Sequence, residues 1–123
     1  MTTRTAPATR LTIASLAREI DRSTMRGLSE SAREAGDIDT ARMADRAIEG
    51  SERAARTIAR MALAGDLDLR LLHGLRVATR PGSCAASEAD EGTAYAIEDG
   101  GQVRVAWDQG VVTHCPPADL VII

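Results

Sequence analysis

The last third of the chain, Glu91 to Ile123 (EGTAYAIEDGGQVRVAWDQGVVTHCPPADLVII), leaves few folds open. Val103, Val105 and Trp107 fall on one side of a period-two pattern, with Arg104 and Asp108 on the other, as in a half-buried strand. Asp99-Gly100-Gly101 predicts a hairpin, because successive glycines take positive φ without a Cβ clash. Asp108-Gln109-Gly110 predicts a second tight turn, with Gly110 in the left-handed position. Ahead of the first turn, Tyr95 and Ile97 are expected on one face and Glu98 on the other. After the second, Val111 and Thr113 alternate with Val112 and His114. Pro116-Pro117 ends that ladder, Ala118-Asp119-Leu120 suits a single 3₁₀ turn, and Val121-Ile122-Ile123 reads as a short closing strand. Upstream, Leu75, Val77 and Thr79 alternate with Arg76, Ala78 and Arg80 in a strand stopping at Pro81-Gly82. Asp66 to Leu72 fits either a strand or the edge of a helix.

The first half has a different period. Ile13, Leu16, Ala17 and Ile20 recur at i, i+3, i+4 and i+7, one apolar helix face. Met25, Leu28, Ala32 and Ala35 make a second set ending at Gly36, a left-handed C-cap. Ser23 or Thr24 is the expected cap of that second helix, unless the two sets run together with a bend near Gly27. Asp37 or Asp39 opens a third segment lined by Ala44, Ala47 and Ile48 and ended by Gly50. Ser51 then caps a fourth, with Ala54, Ala55, Ile58, Met61 and Ala62 inside and Gly65 at its end. Glu49 with Arg53 and Glu52 with Arg56 are expected i, i+4 pairs worth about 0.3–0.5 kcal/mol each. The reading is therefore α+β: residues 1–10 a flexible arm, 11–65 a helical hairpin or three-helix unit, and 66–123 an antiparallel barrel packed against it.

At 123 residues, halves of this size are marginal alone, each burying only about 60% of its unfolded surface, so they are expected to lean on each other or to oligomerise through the helical region. Every basic residue is arginine, and with no Phe, one Tyr and one Trp the core must be aliphatic. Residues 1–36 hold six arginines against four carboxylates, whereas residues 65–123 hold four against nine, a local net of −5. That second half is unlike a general DNA-binding surface, which needs clustered positive charge. No apolar run approaches the ~20 residues of a membrane span, no secretory h-region opens the chain, and the two cysteines are expected as reduced thiols in the cytoplasm.

The order from Leu75 to Ile123 resembles the SH3-like small barrels of the Tudor and KOW kind. The features that carry the resemblance are a first strand ending in a long loop, a Gly-led strand (Gly92-Thr93-Ala94-Tyr95), the hairpin into VRVAWDQG, the PADL turn and a closing strand. It implies a module that binds peptides, modified side chains or nucleic acid. The chain departs from the pattern in holding only two aromatics, whereas an aromatic cage needs a cluster. The AREAGD and IEGSERAA joints resemble tetratricopeptide-type hairpins over about 35 residues, with no tandem array. The Ala/Arg/Glu-rich helical half resembles small phage and mobile-element proteins of high-GC bacteria.

No catalytic signature stands out. Cys84, His73, His114 and Cys115 are zinc-type ligands, but there is no CxxC, and the adjacent His114 and Cys115 point to opposite strand faces. The same opposition removes a Cys–His nucleophile, and a Cys84–Cys115 disulfide is disfavoured in the cytoplasm. Gly100, Gly101 and Gly110 sit in hairpins rather than before a helix, so they do not form a phosphate cradle. Neither a metal nor a cofactor is expected. The residues singled out as a partner surface are Glu88, Asp90, Glu91, Glu98, Asp99, Arg104, Asp108 and His114. The expected function is a non-enzymatic protein-interaction module, a phage or mobile-element accessory factor that inhibits a host defence complex in the anti-CRISPR manner. The alternative is nucleic-acid binding through Arg4, Arg10, Arg18, Arg22 and Arg26.

Overall fold

A computed structural model describes residues 9–80 and 91–123. Glu88, Asp90 and Cys84 lie outside the described residues, as do Arg4 and the Pro81-Gly82 stop. Four helices come first: α1 (Ile13–Glu19), α2 (Arg22–Glu34), α3 (Ile38–Ile48) and α4 (Glu52–Ala64). Ile20 and Asp21 separate the first two, and Gly27 lies inside α2 without ending it. The cap of α2 is Asp21, not Ser23 or Thr24: its carboxylate accepts from the Thr24 N–H at 2.8 Å. Asp37 and Ser51 cap α3 and α4 in the same way, at 3.2 and 3.1 Å, and Gly65 ends α4 at φ 85°. Glu49 closes α3 while Arg53 lies in the first turn of α4, so that expected pair does not share a helix.

The strands are β1 (Thr9–Arg10), β2 (Leu69–Thr79), β3 (Glu91–Glu98), β4 (Gln102–Trp107), β5 (Val112–Cys115) and β6 (Leu120–Ile122). They form one curled antiparallel sheet, a half-barrel, in the order β1-β6-β2-β3-β4-β5. A 3₁₀ turn at Pro117–Asp119 leads into β6. Thr9 and Arg10, assigned to the arm by composition, instead pair with Ile122 and Val121. Asp66–Leu72 resolves as strand from Leu69, whose side chain is fully buried.

Helices and sheet share one apolar core. Leu16 and Ile58 from the helices are fully buried, with Val77, Ile97, Val103, Val105 and Leu120 from the sheet. Ile13, placed on the inner face by periodicity, is exposed at the first position of α1.

A register shift in β2 between Arg70 and Leu75 joins the two parts. Within it, the Leu72 N–H donates to the Thr24 hydroxyl at 3.2 Å, and His73 Nδ1 lies 2.5 Å from Asp21 Oδ2. Asp21 therefore caps α2 and docks it on the sheet. The Thr24 N–H first, and then His73, hold its carboxyl below the usual range against an opposing cost of burial.

Candidate functional site: the outer sheet face and its open edge

Two-residue alternation decides which strand residues face away from the core. Val103, Val105 and Trp107 point inward, as their buried positions confirm. Trp107 is 3% exposed and its Nε1–H donates to Thr113 Oγ1 at 2.7 Å. It is unavailable to a ligand. A second register shift, between Ala94 and Ala96, makes Tyr95 an extra residue in β3 and changes the phase of the strand. Ala94 and Ile97 are both buried, and Tyr95 is not on the Ile97 face as the simple alternation predicts. It lies instead with Arg104, whose guanidinium carbon is 5.2 Å from the ring centroid.

The outer face carries two clusters. In the first, Arg76 on β2 donates to both oxygens of Asp108 at 2.8 and 2.7 Å and to Thr93 Oγ1 at 3.2 Å. Glu91 Oε1 stands 3.6 Å from the same guanidinium. The Arg76 donors hold the Asp108 carboxyl below its ordinary range, with desolvation opposing, and Asp108 in turn raises Arg76. Two of the expected surface carboxylates, Glu91 and Asp108, thus converge on an arginine that the sequence reading left out.

In the second cluster, His114 Nε2 lies 3.1 Å from Glu98 Oε2 and 3.5 Å from Asp99 Oδ2. Arg104 Nη1 stands 3.8 Å from the same Glu98 oxygen, and its Nε is buried without a partner. Register explains the convergence: Arg70, Ala96, Arg104 and His114 are successive partners across β2, β3, β4 and β5. Asp99 arrives through its left-handed turn conformation, φ 52°. Four expected residues, Glu98, Asp99, Arg104 and His114, therefore do meet.

Beside this row a groove of about 550 Å³ opens between α2 and the sheet, lined by Thr24, Gly27, Ser31, Arg70, Ala96 and Glu98. Its charged lining is mainly acidic, Glu30, Asp68 and Glu98 against Arg70, with Leu28 and Leu72 on its apolar part.

Among the described residues, Glu98, Asp99 and His114 form a group whose ligand atoms lie within 4.8 Å of one another, close enough to share a divalent cation. The guanidinium of Arg104 opposes added positive charge there. Among the described residues, His73, His114 and Cys115 do not assemble. His73 pairs with Asp21 beside α2, His114 is on the outer face, and Cys115 is buried, its Sγ 3.4 Å from Thr113 Oγ1. His114 and Cys115 cannot exchange a proton directly from opposite faces.

β5 is the outermost strand on this side, and the turn before it leaves Val111 and Val112 52% and 50% exposed. On the helical side, Arg53, Arg56 and Arg60 line one strip of α4 with Thr57. Among the described residues no helix is long and apolar enough to cross a membrane. Compared with protein-family models, curated proteins and solved structures, the chain matches none.

Proposed function

We propose that this protein is a non-enzymatic interaction module, its sheet of the SH3-like small-barrel kind, acting as a phage or mobile-element accessory factor that covers the surface of a host defence complex. The observation that supports this reading is the gathering of Glu98, Asp99, Arg104 and His114 on one exposed sheet face beside an uncovered strand bearing Val112. Charged groups fixed by mutual contacts, next to exposed β-branched side chains, give register and selectivity to a protein contact. With Trp107 buried and Tyr95 under Arg104, recognition by an aromatic cage has no support.

The test is affinity capture from a bacterial lysate, read against Asp99→Arg combined with Glu98→Arg. A stoichiometric protein retained by the native chain and lost by the variant is expected. Recovery of no such protein counts against the reading.

A second reading, nucleic-acid binding, is favoured by Arg53, Arg56 and Arg60 along α4, joined near Ala55 by Arg18 of α1. It extends the arginine set of the N-terminal helices. A mobility shift that weakens steeply with salt is its signature, and no shift at low salt removes it.

A further inference from the structure

The register of β5 specifies what the outer edge of the sheet offers. In an antiparallel pair, alternate residues exchange both backbone hydrogen bonds with their partner, and the residues between turn their N–H and C=O groups to the other side. The Trp107 N–H donates to the Val111 carbonyl at 2.8 Å. Thr113 with Val105 and Cys115 with Val103 are then the bonded pairs, while Val112 and His114, opposite Ala106 and Arg104, turn their backbone groups away from β4. Among the described residues β5 pairs with β4 alone.

Apart from its shortness, four residues ended by Pro116, the edge lacks several usual protections among the described residues. The β4–β5 pairing contains no register shift, no proline interrupts Val112–Cys115, and the chain has no lysine. The opposite side of the sheet differs, since β6 is covered by β1.

The edge also has a charge gradient. At its Val112 end the side chains are apolar and half exposed. At its His114 end, Glu98 and Asp99 converge on the imidazole; Arg104 already engages Glu98 from the β4 side, so Asp99, whose side chain is 74% exposed, is the carboxylate left to a basic partner. The Asp99–Gly101 turn packs against the C-terminal end of α4, where the helix dipole adds negative potential and Asp66 is exposed.

We propose that β5 accepts an extended segment of a partner protein as an added strand, with an arginine or lysine of that segment passing His114 and an apolar side chain passing Val112. This rests on the interaction-module reading and supplies its recognition mode: backbone bonds give affinity, and alternate side chains give selectivity. A second copy is a poorer occupant. Antiparallel self-pairing of a four-residue strand brings two acidic ends within about 13 Å of each other.

Selection of random twelve-residue displayed peptides on the immobilised full chain tests this, followed by anisotropy titration of the winners. The expected winners alternate β-branched residues with arginine or lysine. Val112→Pro removes one outward N–H and leaves the β4 ladder intact, and is expected to weaken binding at least ~10-fold. Asp99→Asn should weaken it about 3-fold and flatten its salt dependence. In the native chain, hydrogen exchange at the Val112 and His114 amides should slow when peptide binds, a reading independent of any variant's folding. Winners indifferent to Val112→Pro that leave both amides unprotected overturn the edge assignment, and capture of an intact partner would then still support an interaction surface elsewhere. A selection without winners overturns the inference. A dimer that Val112→Pro abolishes gives the edge to a second copy and overturns it too.

Discussion

Trp107 carries the largest side chain in the sheet core and spends its one donor on Thr113. Trp107→Ala is expected to destabilise the chain by about 3–5 kcal/mol, read as a fall in the urea midpoint, and Thr113→Val by about 1 kcal/mol. Fluorescence of the native protein should be blue-shifted and shielded from iodide; ready quenching would contradict the burial. Four carboxyls, Asp21, Asp37, Asp45 and Asp108, are held below their ordinary range. Asp45 owes this first to the Ser29 hydroxyl and then to Arg33, and Asp37 to the hydroxyl and N–H of Thr40. Because the folded values are depressed, this stabilisation is complete above the unfolded value near ~4 and is lost as pH falls through the folded ones. The urea midpoint should hold from neutrality to about pH 5 and fall below about pH 4. A midpoint flat to about pH 3 would show that these contacts add nothing to stability.

Among elements, the contact between α4 and the β3–β4 hairpin leaves no room for a side chain. Gly101 has φ 94°, and a Cβ there would run into the Leu63 carbonyl oxygen, whereas Gly110, at φ 101°, has open space around it. Both substitutions to alanine strain the backbone, so Gly110→Ala should cost about 1 kcal/mol and Gly101→Ala clearly more in the same denaturation assay. Ser51→Ala should cost about 1 kcal/mol through the α4 cap. These local features were legible in the sequence: the ends of α3 and α4, the glycine turns and the inward set Val103, Val105 and Trp107 all follow from period and turn chemistry. What escaped was decided between elements. Asp21 caps α2 while also meeting His73, a residue distant in sequence. Tyr95 leaves the face of Ile97 because β3 contains one residue more than β4 can match, and alternation within one strand cannot reveal its partner's count. The same blindness hid Arg76, whose pairing with Asp108 depends on strands that meet only in the sheet. Of the candidate site, the acidic and imidazole residues were legible as types, and it took the strand register and the left-handed turn at Asp99 to bring Glu98, Asp99 and His114 together.

For the whole molecule, the shared core means that neither half has a buried interior of its own. Leu16 and Ile58 belong to the same cluster as Val77 and Val105. Residues 66–123 expressed alone are expected to lack a cooperative thermal transition; a sharp one would show that the sheet is self-sufficient. The short β1 has a consequence out of proportion to its length. A sheet with an open edge at each side can add copies head to tail without limit, and such heterologous contacts build filaments instead of closed assemblies. Thr9 and Arg10 occupy the β6 side, so a strand arriving there finds its place taken. Removing residues 1–10 should free β6 to receive the β5 of the next copy and turn a chain-terminating surface into a polymerising one, visible as growing light scattering and thioflavin fluorescence. A short N-terminal segment would then be the difference between a protein that binds once and a protein that makes fibres.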